Sequence, residues 1–173
     1  MKLKVIVTSI LITLSLSALS VGEVPKSVSI EGENGGMVID GSEWKSSTIK
    51  DKVFVMFYVD PDEKDINEHY SQALKAEKDA KRLSFQSIAI INLAATWKPN
   101  FVIESILKDK QEEFPNTIYV KDKASVLVNE WEIADDSSNI LIFSQDGKLL
   151  FYKAGAMSEE DITNSFKIIK DNS

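Results

Sequence analysis

The sequence predicts an α/β fold in which a central mixed β-sheet is flanked by helices. Three observations carry this. Val53-Phe54-Val55-Met56-Phe57-Tyr58-Val59 is a continuous run of β-forming apolar residues, the mark of a strand covered on both faces. Stretches of helical spacing then alternate with further short apolar runs. The chain closes on a strand–Asp146-Gly147–strand unit followed by an amphipathic helix.

Taken in chain order, the elements begin with Lys2 and Lys4 ahead of the apolar run Val5 to Leu16. Ala18-Leu19-Ser20 places small residues at −3 and −1 of a cleavage point before Val21, the pattern of a secretory signal peptide. The run is shorter than the roughly 18–20 residues of a spanning helix. Residues 1–20 are therefore expected to be a cleaved leader that leaves no membrane anchor, and 21–173 one domain. Val24 to Gly41 shows short extended pieces, with Ser27-Val28-Ser29-Ile30 alternating and Gly35-Gly36 expected as a turn before Met37-Val38-Ile39. An N-terminal β-hairpin over one end of the sheet is the expectation.

After the central strand, Asp60-Pro61-Asp62 is a stop. Ile66, Tyr70, Ala73, Leu74 and Ala80 then share helical spacing. Ser87 to Leu93 is a second strand. Asn100 is a candidate cap for a helix whose apolar face holds Val102, Ile103, Ile106 and Leu107. Thr117 to Val120 is a short strand, and Ala124 to Trp131 a short helix or turn. Asn139 to Phe143 and Leu149 to Tyr152 form the hairpin. Ser158 and Asp161 have capping-box spacing before a helix faced by Ile162, Phe166 and Ile169. The order β-α-β-α-β, hairpin, helix is that of the thioredoxin fold.

There is no cysteine. Thiol–disulfide exchange and thiol peroxidase chemistry both require a thiolate and are excluded. Loss of Lys2 and Lys4 turns 20 basic groups into 18 against 27 acidic ones, a balance of −9. That charge disfavours nucleic acid and anionic lipid, and permits a basic partner or a cation. No Gly-x-x-x-x-Gly-Lys loop, Gly-x-Gly-x-x-Gly turn or Gly-x-Ser-x-Gly elbow is present. The single histidine, His69, has no companion ligands in the sequence and is expected on a solvated helix surface.

Trp131-Glu132-Ile133-Ala134-Asp135-Asp136-Ser137-Ser138, running into the strand that ends at Phe143, resembles the tryptophan–acidic–acidic–Ser–Ser block of the YtfJ family. Asp146-Gly147-Lys148, Lys153, Gly155, Ser158-Glu159-Glu160 and Ile90-Ile91-Asn92 continue the likeness. It is sharp from Ile90 onward and matches in pattern before that. The resemblance implies an exported bacterial protein with a thioredoxin-like fold lacking redox cysteines, and so a periplasmic address. It brings no catalytic residue.

Two constellations remain. The turn where a thioredoxin carries its cysteines is here Val59-Asp60-Pro61-Asp62-Glu63-Lys64-Asp65. Its carboxylates suit an acid-rich helix start, or a cation site using Asp60, Asp62 and Asp65. The loop Asp135-Asp136-Ser137-Ser138 enters the hairpin where a thioredoxin has a cis-proline. In the predicted fold the two loops face each other, with Trp131 nearby. The candidate binding rim is thus Asp60, Asp62, Asp65, Trp131, Asp135, Asp136, Ser137 and Ser138, and a divalent cation would use Asp60, Asp62, Asp135 and Asp136. The alternative is that these are turn residues bonded to local backbone. Trp44 and Trp97 are expected near loops, as partner anchors or as edges of the core. The reading is an exported interaction module with an unknown envelope protein or small ligand as partner. Its alternatives are a cation-binding protein and a carboxylate-dependent enzyme built on the same two loops.

Overall fold

A computed structural model describes residues 19–173. The leader expected over 1–20 lies outside the described residues, except for Leu19 and Ser20. The strands are β1 (Ser29–Ile30), β2 (Gly35–Met37), β3 (Trp44–Lys45), β4 (Phe54–Val59), β5 (Gln86–Asn92), β6 (Thr117–Asp122), β7 (Ser138–Phe143) and β8 (Leu149–Ala154). The α-helices are α1 (Glu68–Asp79), α2 (Asn100–Glu113), α3 (Val126–Trp131) and α4 (Glu159–Asn172). Six strands form one mixed sheet in the order β2-β6-β5-β4-β7-β8. β4, β5 and β6 are parallel; β2, β7 and β8 each run antiparallel to the neighbour nearer the centre.

β4 lies between β5 and β7, so its side chains are screened on both faces, as its unbroken apolar sequence requires. Phe54, Met56 and Tyr58 point to one layer, with Ile88, Ile90, Val120, Leu141 and Phe143 beside them. Leu127 and Trp131 of α3 and the segment carrying Val28, Ile30 and Trp44 close that layer. Val55, Ile140 and Ile142 face the opposite layer, under Tyr70 and Leu74 of α1 and Ile169 of α4. Ile103 and Leu107 of α2 pack with Val38, Leu93, Ile91 and Tyr119. Each burial removes apolar surface from water at about 25 cal/mol per Å².

The two N-terminal antiparallel strands are β1 and β3, paired Ser29–Lys45 and Ile30–Trp44. The segment between them differs from the expected turn. Gly35 and Gly36 are themselves strand, joined to Asp122 and Lys121 at the edge of the main sheet. The reason is steric. Gly35 has φ +126°, and a Cβ there would stand 1.9 Å from the Lys121 carbonyl oxygen. Only glycine admits so close an approach at that angle.

Two further differences have local causes. α2 is capped by Pro99, with no side-chain cap bond, and Asn100 is its first helical residue. Proline presets the backbone for helix entry and lacks only an N–H that would go unpaired there. Val102 and Ile106, expected on the buried face, are exposed because the helix presents only Ile103 and Leu107 to the sheet. Of the two readings given for Trp44, the core one holds: it is buried on β3. The capping box at α4 is present: the Asp161 N–H donates to Ser158 Oγ and the Ser158 N–H donates to the Asp161 carboxylate.

Candidate functional site

The carboxyl ends of β4, β5 and β6 lie together, where open α/β sheets place their ligands. Tyr58, Asn92 and Asp122 occupy those ends, and all three are buried. Polar side chains in such positions must find partners inside the protein. Tyr58 Oη donates to Asp122 Oδ2 at 3.1 Å. Asp122 also accepts from the Ala124 N–H at 3.1 Å and the Leu127 N–H at 3.3 Å, which ties β6 to the start of α3. Asn92 accepts from the Ala94 N–H and from Ser125 Oγ, and donates through Nδ2 to Asp135 Oδ1 at 3.1 Å. Burial pushes the Tyr58 phenol well above its usual range, and the neighbouring Asp122 and Asp135 charges push the same way. Tyr58 is therefore a fixed hydrogen-bond donor, not an acid or nucleophile at neutral pH.

A second knot lies across β7. Asn139 Nδ2 donates to the Ala134 carbonyl at 2.8 Å, and Tyr152 Oη donates to Asn139 Oδ1 at 3.0 Å. The Ala134 N–H donates in turn to Tyr152 Oη. Asn67 Nδ2 donates to Ser138 Oγ and to the Gly155 carbonyl, while Asn67 Oδ1 accepts from the Met157 N–H. His69, exposed on α1, holds a ring nitrogen 3.0 Å from the Met157 carbonyl oxygen.

The two acidic loops adjoin. The Asp60 N–H donates to the Ser137 carbonyl at 3.0 Å, continuing the register in which Val59 faces Ser138. The eight residues of the sequence-based rim do not, however, share one surface. Asp60 is buried, and Oδ1 accepts from the Asp62 N–H at 2.8 Å. Burial raises its carboxyl above the ordinary range; that N–H opposes the shift, while Asp62, Asp136 and Glu63 add to it. Asp62 turns to Thr96 Oγ1 at 2.8 Å and to Lys98 Nζ, and these bonds, Lys98 first, hold its carboxyl below the usual value. Asp65 pairs with Lys64 in solvent.

Trp131 is a correction to the expectation. It is buried in the core against Phe143, with Nε1 donating to the Lys26 carbonyl at 2.8 Å. An indole fixed there supports the fold and offers nothing to a ligand. Ser138 is buried under Asn67, and Asp135 is drawn to Asn92. Of the eight, Asp136 and Ser137 stay beside Asp60, Ser137 through its carbonyl, which accepts from the Asp60 N–H, and Asp136 as a like charge that raises the Asp60 carboxyl. The cation set Asp60, Asp62, Asp135 and Asp136 disperses for the same reason. Among the described residues no group of three or more His, Cys, Asp or Glu side chains is arranged to hold a metal ion.

Sequence reasoning named Asn92 only as part of a family likeness and did not see Tyr58, Asp122 or Asn139. A signal existed. Asn92 and Asp122 close their strands and Asn139 stands just ahead of an apolar run, at positions where a purely packed sheet would carry aliphatic residues. A shallow groove also runs along α3, lined by Ser27, Ser29, Asn34, Val126 and Asn129, with Glu130 bonded to Lys26 at its end.

Residues 21–172 match the model of a family described as bacterial protein of unknown function, YtfJ_HI0045. An uncharacterised protein of Haemophilus influenzae is 27% identical over 146 residues, covering 79% of this chain and 78% of that protein. The uncharacterised protein YtfJ of Escherichia coli K12 is 21% identical over 146 residues, covering 80% and 79%. Among solved structures, the thioredoxin domain of a thiol-disulfide oxidoreductase from Bacteroides vulgatus superposes with a TM-score of 0.59 at 14% identity, over 90% of this chain and 99% of that one. The fold is thioredoxin-like, and the cysteines on which a thiol-disulfide oxidoreductase depends are absent.

Proposed function

The chain belongs to the YtfJ_HI0045 family, and from that membership we propose that it is an exported, redox-inactive interaction module of the bacterial cell envelope. One observation carries the reading. At the carboxyl ends of the parallel strands, the polar side chains of Tyr58, Asn92, Asp122 and Asn139 are bonded to the protein itself. A group committed to holding loops in place is not poised to attack a substrate. Such a site is a rigid mount for the loops around it, which suits recognition better than turnover. The Lys2–Lys4, Val5–Leu16 and Ala18–Ser20 pattern supports export. The dispersal of the four carboxylates speaks against the cation and carboxylate-enzyme alternatives.

The test has two arms. Fractionation of cells producing the full chain, with N-terminal sequencing, is expected to find a periplasmic protein beginning near Val21. Retention of the whole chain in the cytoplasm contradicts export. Short-linker crosslinking in intact cells is expected to join the chain to a defined envelope protein at near-stoichiometric yield. Capture of no partner, together with turnover of a small substrate by the purified chain, contradicts the module.

A further inference from the structure

The average charge conceals a segregation. A balance of −9 after loss of the leader speaks against anionic surfaces for the molecule as a whole. Among the described residues, however, the lysines in no ion pair are Lys50, Lys52, Lys78, Lys81, Lys108 and Lys170. All but Lys108, on α2, stand at one end of the domain, away from the carboxyl ends of the parallel strands.

Bonds tie that end together. The Asp51 N–H, in the loop before β4, donates to the Gln145 carbonyl of the β7–β8 turn at 2.8 Å. Gln145 Nε2 donates to the Asn172 carbonyl at the close of α4, and Ser173 Oγ to the Ser84 carbonyl ahead of β5. Lys78 Nζ lies 4.7 Å from the centre of the Phe85 ring and within electrostatic reach of Lys52. Arg82, Lys167 and Lys170 line one shallow groove between the ends of α1 and α4. Helix dipoles account for Lys78 and Lys170, in the last turns of α1 and α4. They do not account for Lys50, Lys52 and Lys81, exposed on loops. Burial lowers the Lys78 ammonium; Asp79 opposes the shift and Lys52 adds to it. Lys75, Arg82, Lys148 and Lys167 are held by Asp79, Glu77, Asp146 and Asp171. The side-chain acids there in no ion pair are Asp51 and Glu23, so the end keeps an excess of positive charge.

The N-terminal segment arrives at the same end. The Gly22 N–H donates to the Leu149 carbonyl, and the Leu149 N–H to the Glu23 carbonyl. A Cβ on Gly147 would stand 4.0 Å from Val24 Cγ1 and 3.0 Å from the Ile49 carbonyl oxygen, beside Lys50. Val21 and Val24 are 67% and 61% exposed. On the export reading, the apolar run Val5–Leu16 lies in the membrane until cleavage, and it joins the domain on the side of these lysines.

Resting on that reading, we propose that this end, through Lys50, Lys52, Lys78, Lys81 and Lys170, docks on the phosphate headgroups of an anionic membrane surface, with Val21 and Val24 at the contact. Ammonium groups on flexible stems take phosphates as point charges and need no fixed pocket. The place where the leader joins favours lipid over an acidic protein segment. The opposite end carries Asp60, Glu63, Asp136, Glu159 and Glu160 in no ion pair, and repulsion turns it away from the membrane. The loops of the candidate site then face a protein partner.

The test is flotation of the untagged chain from Val21 with lipid vesicles. Phosphatidylcholine vesicles holding about 30% phosphatidylglycerol are expected to bind it at least tenfold more tightly than phosphatidylcholine alone, and about 0.5 M salt to abolish the difference. Lys50→Gln with Lys52→Gln is expected to weaken binding at least tenfold, since each lysine near an anionic surface contributes severalfold. Lys64→Gln with Lys98→Gln removes the same charge from the loops after β4 and β5, at the other end, and is expected to weaken it less than twofold. Equal affinity for both vesicles or equal loss from the two exchanges overturns the proposal. So does capture of a twelve-residue Glu peptide without capture of anionic vesicles, which would make this end a site for an acidic protein segment. An exported chain that crosslinks to an envelope protein yet ignores anionic vesicles overturns this surface and keeps the module.

Discussion

Replacing Asp122 with alanine removes the acceptor on which three donors depend. Tyr58 Oη lies 3.1 Å away, the Ala124 N–H 3.1 Å and the Leu127 N–H 3.3 Å. A buried donor stripped of its acceptor costs about 1–3 kcal/mol. Ala124 is only half-buried, so water can replace its bond, and that donor counts for little. Tyr58 and Leu127 are buried, which brings the expected loss to about 2–6 kcal/mol, a large share of the roughly 5–15 kcal/mol that holds a domain folded. Tyr58→Phe removes one donor and leaves the carboxylate its two backbone partners, at about 1 kcal/mol. In the Tyr58→Phe background the Asp122→Ala loss should shrink by about 1–2 kcal/mol, because one orphaned donor no longer exists. Urea unfolding of the chain from Val21, followed by far-UV circular dichroism, reads all four proteins. An Asp122→Ala loss below about 1 kcal/mol, or strict additivity with Tyr58→Phe, refutes the assignment of this cluster to the scaffold.

The remaining predictions concern the edge, the caps and the titrating groups. Gly35→Ala should detach β2, since its Cβ would meet the Lys121 carbonyl at 1.9 Å; a loss of about 3 kcal/mol in urea unfolding and oligomers on a sizing column are expected from the bared edge of β6. Ser158→Ala should cost about 1 kcal/mol by removing the acceptor of the Asp161 N–H, read as a lowered urea midpoint. The Ser158 N–H, Lys153 and the Ser158 hydroxyl hold the Asp161 carboxyl at about 2, below its value of 3.8 in an unfolded chain. Its stabilisation is therefore present above pH 3.8 and lost as pH falls through about 2, and acid titration of Asp161→Asn should show a shallower loss in that window. Burial raises both the Tyr58 and the Tyr70 phenols, Tyr70 to about 12. Raised values favour the folded state only while the phenols stay protonated, so stability should hold below about pH 10 and fall as pH rises toward 12, less steeply in Tyr70→Phe.

Much of the fold was legible because local and tertiary requirements agree. β4 needed an unbroken apolar run and has one; the Asp146-Gly147 turn and the Ser158–Asp161 box state their own geometry. The errors fall where tertiary contact overrides local habit. Gly35-Gly36 has the letters of a turn, yet the approach of Lys121 makes them strand. Trp131 sits beside acidic residues in sequence, but α3 turns its indole into the core.

The site was harder to see. Proximity of the Asp60 and Asp135–Ser138 loops follows from topology, since β4 and β7 are neighbours. Where each carboxylate points depends on Lys98, Thr96 and Asn92, which lie 36, 34 and 43 residues from their partners in the chain. Periodicity and spacing carry no record of such long-range bonds. The same holds for Val102 and Ile106. Helical spacing groups them with Ile103 and Leu107, and only the packing of Ile103 and Leu107 on the sheet decides that the other two face outward.

A scaffold held shut by its own polar network keeps its buried N–H groups from solvent, and native-state hydrogen exchange of the chain from Val21 reads this residue by residue. The Leu127 N–H, bonded to the Asp122 carboxylate, reports the strand ends, and the Trp131 indole N–H, bonded to the Lys26 carbonyl, reports the core. Both should exchange only through global unfolding, with the free energy that urea unfolding gives. Exchange of the Leu127 N–H far faster than that of the Trp131 indole would show the strand ends opening locally and would rule out a closed network.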